Sequence, residues 1–304
     1  MSKKMTVPFR IKFFLDKRLT PYAERMWDIR SVINGYRKKK HAEKYGEPID
    51  MQGKQHLHIY PTIKCHFDCH FCQNKFYTDY SVPQYPNPDF KLSSAKEWCS
   101  WLNRMYNFHH IDFNGGEPFN YPHIIEMLNT LENHNIVIFT NIPAHIIPRL
   151  KEINTKKNNI QMICSYHHLE EDRKGRSLYQ YAHDFKQIPR GLKPTCQVID
   201  VPEVSGQDNA SGLIRWGIHV KVNNAHTPTE HNKLKDKNFK TAMCHSDMDC
   251  IAPDLTVYRC LGLMMRKIDP IHISDYKFTN NAEWCDYYGL CGPCSMQKDV
   301  YDIK

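Results

Sequence analysis

From His56 onward the chain alternates short apolar runs with amphipathic stretches, a pattern that few folds can accommodate. Strand-like runs cover 56–63, 110–113, 136–140, 160–165, 194–199 and 217–222, and helix-like stretches at 93–106, 122–134, 144–153 and 178–187 lie among them. Strands separated by helices point to a parallel sheet, because two parallel neighbours need a crossover, which a helix supplies. Six units rather than eight predict an α/β fold built as a partial, TIM-like (β/α)6 barrel. Functional groups then belong at the C-terminal ends of its strands.

The flanks read differently. Residues 1–50 form a polar helical arm in which Tyr22, Met26, Ile29, Ile33 and Tyr36 recur at helical spacing, so one face of it is expected to be buried. The barrel is assigned to 51–224, and 225–242 reads as a linker rich in lysine. Residues 243–304 form a small cysteine-rich domain, short of apolar residues, that needs a metal to fold.

Twelve cysteines demand an explanation. The N-terminus is basic but lacks the apolar stretch and cleavage site of a secretory signal, so a cytoplasmic location is expected. Thiols stay reduced there, and crowded cysteines then point to metal or catalytic roles rather than disulfides. No apolar run approaches the roughly 18 residues of a membrane helix, so no membrane partner is expected. Lysine plus arginine exceed aspartate plus glutamate by 41 − 33 = 8, a mild excess that suits an acidic peptide, a phosphorylated cofactor or a nucleic acid.

Cys65-His-Phe-Asp-Cys69-His-Phe-Cys72 follows the first strand and presents three thiols at its C-terminal end. Structural zinc and electron-transfer clusters normally have four protein ligands, and three leave one metal position open. The open iron of a cubane can be chelated by an amino acid's amino and carboxylate groups. A zinc site completed by His66 or His70 is the competing reading. One β/α unit later, Asp112-Phe-Asn-Gly115-Gly116-Glu117-Pro118 ends the second strand, with glycines that let backbone approach a ligand and a carboxylate that can accept from an ammonium.

These two motifs, in this order, resemble the radical S-adenosylmethionine superfamily over about residues 56–222. The resemblance implies a [4Fe-4S] cluster on Cys65, Cys69 and Cys72 and S-adenosyl-L-methionine as cofactor. It places Phe71 against the adenine, and Gly115, Gly116, Glu117 and Pro118 at the methionine amino group. Asn141, Ser165 and His167, at the ends of the third and fourth strands, fall where the family contacts the ribose or carboxylate. The family's glycine-rich element after the fifth strand is not recognisable near 198–206.

Cys244-x5-Cys250-Ile-Ala-Pro-Asp-Leu-Thr-Val-Tyr-Arg-Cys260 is similar to the opening of the SPASM or twitch extensions of that superfamily, with Leu255 where a glycine is usual. Cys285, Cys291 and Cys294 return to the site. Six thiols exceed the need of one four-ligand cluster and fall short of two, so one auxiliary [4Fe-4S] cluster is expected, with Cys244, Cys260, Cys291 and Cys294 favoured. A zinc knuckle on the same residues is the alternative.

The implied reaction is reductive cleavage of the sulfonium to a 5′-deoxyadenosyl radical, with the electron from a flavodoxin- or ferredoxin-type reductant. The radical then abstracts a substrate hydrogen. The tail's resemblance favours a ribosomally synthesised peptide, modified by epimerisation, thioether formation or carbon–carbon crosslinking. Modification of a nucleoside in RNA or DNA, and a small-molecule dehydrogenase or isomerase, are the alternatives. An epimerase needs a thiol hydrogen donor, and Cys164 and Cys196 are the candidates if they face the barrel interior.

Overall fold

The computed structural model describes residues 32–33, 35–51, 56–69, 72, 89–105, 110–201, 205–224, 240–244, 249–279, 281–288 and 300–303. Phe71, Cys291, Cys294 and most of the 225–242 stretch lie outside the described residues. The chain divides into two units, 1–49 and 50–304.

In the first unit a helix, α1, runs over 35–45 and stops at Gly46, whose φ of 89° is a left-handed conformation available to glycine at little cost. Ile33 and Tyr36, expected on a buried face, are 44% and 63% exposed.

The second unit is α/β. Strands β1 (His56–Ile59), β2 (His110–Phe113), β3 (Asn135–Thr140), β4 (Asn159–Tyr166), β5 (Pro194–Asp200) and β6 (Val220–Asn224) pair in parallel, each with the next. This is the strand order of a partial (β/α)6 barrel, and one cavity is walled by residues from all six strands or the turns that follow them, so the sheet curls around it. Helices α2 (Ala95–Leu102), α3 (Ile124–Thr130), α4 (His168–Arg173), α5 (Leu178–Gln187) and α6 (Gly206–Arg215) supply crossovers. In α2 the apolar residues Ala95, Trp98, Cys99 and Leu102 recur at i, i+3, i+4 and i+7 and are all buried. Ser94 and Glu97 close its first turn as a reciprocal capping box.

Three local expectations shift, each for a visible reason. Strand β1 stops at Ile59, not 63, since Pro61 has no N–H for the ladder. The stretch at Ala144–Glu152 is a 3-10 helix, with Pro148 inside it removing a donor. Gly217, read as the start of the sixth strand, has φ 73° and ends α6, with Gly217 N–H donating to Ile214 O at 2.8 Å and Ile218 N–H to Leu213 O at 3.2 Å. Helix α6 itself went unread in the sequence.

The far end of the chain joins the same sheet. Strand β8 (Asp249–Ile251) pairs in parallel with β1 on the edge away from β2, and β9 (Thr256–Tyr258) and β10 (Ile271–His272) add antiparallel beyond it. The β8–β9 turn is made by Leu255 itself, at φ 65°, where a glycine was expected. Its N–H donates to Ala252 O at 3.0 Å. Helix α7 (Leu261–Arg266) packs against this corner. Strand β7 (Lys240–Cys244), which begins inside the stretch read as linker, pairs antiparallel with β11 (Glu283–Tyr288) and β12 (Val300–Ile303) in a separate three-stranded sheet. Among the described residues no helix is long and apolar enough to cross a membrane.

Candidate active site at the C-terminal ends of the strands

Cys65, Cys69 and Cys72 line a cavity of about 640 Å³ at the C-terminal mouth of the curled sheet, together with Gly115, Gly116 and Glu117. The loop that carries the thiols is tied down from two sides. Asp68 N–H donates to the buried Glu170 carboxylate on α4 at 2.9 Å, and Cys72 N–H donates to Cys69 O at 3.2 Å. The Cys65 sulfur accepts from Phe67 N–H at 3.4 Å and lies 3.8 Å from Asn141 Nδ2. Desolvation and neighbouring anionic groups push Cys65 up to about 11 and Cys69 further, so without metal both are neutral thiols at pH 7.

The glycine pair does something the sequence did not reveal. A Cβ on Gly115 would lie 2.2 Å from Thr62 O, and one on Gly116 2.4 Å from Ile63 O. Both glycines are therefore required for the turn after β2 to press against the backbone leading into Cys65. That contact is sealed by Gly116 N–H to Thr62 O at 3.1 Å and Glu117 N–H to Lys64 O at 3.0 Å. Pro118 opens a buried 3-10 turn, Pro118–Asn120, and is not part of the cavity wall.

Glu117 is buried, and its carboxylate is turned to the protein. Oε1 accepts from Phe119 N–H at 3.0 Å and Thr140 Oγ1 at 2.8 Å, and Oε2 accepts from Asn141 N–H at 2.9 Å. Burial outweighs these three donors and raises its pKa to about 7. The side chain thus fastens the turn after β2 to the end of β3, and Glu117 also lines the cavity. Asn141 in turn lines the cavity with its Oδ1 buried and without a hydrogen-bond partner, an acceptor position ready for a ligand donor.

Farther round the mouth, Ser165 Oγ accepts from Gln197 Nε2 at 2.6 Å, and Gln197 Oε1 accepts from Asn223 Nδ2 at 2.7 Å. This polar chain across β4, β5 and β6 lines the cavity, as does His167, which burial lowers to about 4 and keeps neutral. Gln197 and Asn223 were missed in the sequence, although strand alternation from Ser165, in register with Gln197, could have found Gln197.

The same alternation corrects Cys164 and Cys196. They are register partners on β4 and β5 and face away from the cavity, where Tyr181 of α5 covers them, its hydroxyl donating to Cys164 O at 3.0 Å and lying 3.8 Å from Cys196 Sγ. Both are fully or almost fully buried behind the sheet, out of reach of a ligand in the cavity.

The corner after β3 is held by Arg176. Its guanidinium donates to Ile142 O at 3.0 Å and pairs with Asp184 at 2.8 Å and Glu171 at 3.3 Å. Ile142 takes φ 52°, a strained value for a β-branched residue, and this clamp fixes it there.

Of the tail cysteines, Cys250 on β8 is sealed in an apolar cluster with Tyr60, Phe90, Tyr258, Leu261 and Met264. Cys260 caps α7 at the edge of that cluster. Arg259, beside it, donates to Cys244 O at 3.2 Å and pairs with Glu283 at 3.0 Å, which draws the Cys244 and Cys260 segments together. Cys285 lies on β11 opposite Ala242.

The thiol and glycine motifs that resemble those of the radical S-adenosylmethionine superfamily thus meet at one cavity. No family model matches the chain, and no curated protein matches it in sequence. Among solved structures it is similar to Streptococcus suis SuiB bound to precursor peptide SuiA, at 14% identity and a TM-score of 0.49, covering 88% of this chain and 76% of that one. It is also similar to BtrN in complex with AdoMet and 2-DOIA, at 12% identity and a TM-score of 0.45 over 75% of this chain and 81% of that one. Native anSMEcpe with bound AdoMet and Cp18Cys peptide gives 12% identity and 0.45 over 73% and 78%.

Proposed function

We propose that this chain is a radical S-adenosylmethionine enzyme that binds a [4Fe-4S] cluster on Cys65, Cys69 and Cys72 and acts on a ribosomally synthesised peptide. The observation that carries the reading is three cysteines, and no fourth among the described residues, opening into the cavity that the strand ends enclose. Bound there, the cluster and S-adenosylmethionine supply reductive cleavage of a carbon–sulfur bond and hydrogen abstraction from the substrate.

The protein's own contribution is placement. Asn141 offers an unpaired acceptor, and the Ser165, Gln197 and Asn223 chain offers a rim of polar groups for the cofactor or substrate. Glu117 and the glycine turn hold the cysteine loop at the height of that rim. Neutral His167 and the apolar Phe139, Ile199 and Val222 line the rest of the wall, where they keep water from the reacting carbon. The auxiliary cluster is assigned to Cys244 and Cys260, with Cys291 and Cys294. Cys250, in its apolar cluster, is assigned to packing.

The peptide assignment rests on the resemblance of the cysteine-rich tail to SPASM or twitch extensions. It is tested by anaerobic incubation of the iron- and sulfide-loaded protein with dithionite or flavodoxin, S-adenosylmethionine, and either candidate precursor peptides or nucleic acid. Peptide-dependent 5′-deoxyadenosine supports it; formation dependent on RNA or DNA instead replaces the substrate class. Triple Cys65/Cys69/Cys72→Ser protein that still cleaved the cofactor would falsify the chemistry itself.

A further inference from the structure

At the opposite end of β1 and β2 from the thiols, a second set of metal-binding side chains comes together. The parallel register places His56 beside His110 and His58 beside Asp112. Alternate residues of a strand share a face, so these four side chains form a two-by-two block. Leu57, Ile59, Ile111 and Phe113 occupy the other face, each with no exposed surface.

Within the block, one ligand atom each from His56, His110 and Asp112 lie within 4.8 Å of one another. His56 Nδ1 is 3.7 Å from Asp112 Oδ2, and the imidazoles of His56 and His110 have centroids 5.1 Å apart. Asp112 is 7% exposed, and its charged partners among the described residues are histidines, His56 and His58. A buried carboxylate without lysine or arginine calls for another source of positive charge. His58 is oriented for a supporting part. The amide nitrogen of Asn114 donates to Asp112 O at 3.2 Å and faces His58 Nδ1 at 3.0 Å, so Nδ1 accepts and the proton sits on Nε2, which lies 3.7 Å from Asp112 Oδ2.

We propose that His56, His110 and Asp112 bind a divalent first-row transition-metal ion, with His58 as a positioning residue that orients the carboxylate. Ligands at about 2.0–2.2 Å from one ion stand about 3–3.5 Å apart, so the set closes by roughly an ångström of side-chain rotation. The half-exposed His56 is free to make that movement. Two imidazoles and one carboxylate suit zinc, iron(II), cobalt(II) or nickel(II); calcium and magnesium prefer oxygen alone, and copper(I) prefers sulfur. Three protein ligands leave coordination positions for water on the open side of His56. The ion would tie the first two strands of the barrel together at their starting ends. This site is independent of the thiol chemistry proposed above.

The test uses the full chain with its iron and sulfide already loaded, desalted and titrated anaerobically with cobalt(II), with metal analysis and visible absorption as readouts. One cobalt per chain is expected, with d–d bands of a nitrogen and oxygen site and without thiolate-to-cobalt charge transfer. His56→Ala and His110→Ala should each weaken binding by about tenfold or more, and His58→Gln by about tenfold, while iron and sulfide content stay the same. His56 is half-exposed, so its replacement leaves the fold intact and keeps the test decisive even if Asp112→Asn unfolds. Cobalt that shows only thiolate charge transfer, no retained cobalt, or retention unaffected by His56→Ala and His110→Ala would each overturn the proposal.

Discussion

Replacing Glu117 with glutamine changes one atom and should rewrite the pH dependence of stability. Burial raises the carboxyl from its ordinary 4.5 to about 7, so between those values the folded protein keeps a proton that the unfolded chain has lost. Stability is then fully present below pH 4.5 and falls as pH rises through 7, by about 3.5 kcal/mol in total, at about 1.4 kcal/mol per unit over some 2.5 units. Glutamine cannot ionise, so this slope disappears. It also cannot accept from all three donors. With its oxygen kept against Phe119 and Thr140, its amide faces Asn141 N–H, and that clash costs about 1–3 kcal/mol. Glu171 is also raised to about 7, and its contribution is common to both proteins and cancels. Urea denaturation followed by far-ultraviolet circular dichroism from pH 4.5 to 8, at equal cluster loading, should show E117Q clearly weaker at the acid end and near or above wild type at the alkaline end. Parallel profiles for the two proteins would mean that Glu117 ionises as if in water, and the argument from its burial would be wrong.

Gly116→Ala should displace the backbone at Ile63 and Lys64, costing about 1–3 kcal/mol and lowering iron retained at Cys65, whereas Gly35→Ala, with open space around its Cβ, should leave iron content unchanged. Equal iron in both variants would remove the buttressing role of the glycine turn. Arg176→Met should destabilise by about 3–5 kcal/mol in denaturant, because Glu171 and Asp184 lose their shared partner; a loss under about 1 kcal/mol would show that the clamp is not needed. Leu255→Gly relieves about 1–2 kcal/mol of left-handed strain but gives up about 1.5–3 kcal/mol of buried leucine, so a modest net loss is expected, and a higher melting temperature would show that strain dominates.

The order of the six strands was legible because each apolar run is short and each is followed by a polar or glycine-containing break. Which face of a strand looks into the cavity was not. Cys164 and Ser165 sit in a run covered on both sides, and in such a strand alternation of polarity is too weak to tell lumen from helix side. Hence Cys196 was preferred to Gln197, its neighbour. The three thiols were readable from their spacing and the glycine turn from its resemblance to a family motif, yet their mutual contact through Thr62 and Lys64 depends on backbone packing that no residue type announces. The pairing of β8 with β1 brings together segments from opposite ends of the chain, and only tertiary structure reveals it. Leu255 shows the limit from the other side: it stands where a glycine is usual, and it takes the left-handed φ of 65° itself.

Because Asp249–Ile251 hydrogen-bonds along the outer flank of β1, the strand that delivers the cysteine loop has neighbours on both sides. Removal of everything after residue 244 would therefore strip a row of backbone donors and acceptors bare beside the cysteine loop, inviting another copy to stack there. The carboxyl-terminal segment is thus woven into the barrel sheet, and any exchange of that segment would have to respect the shared seam.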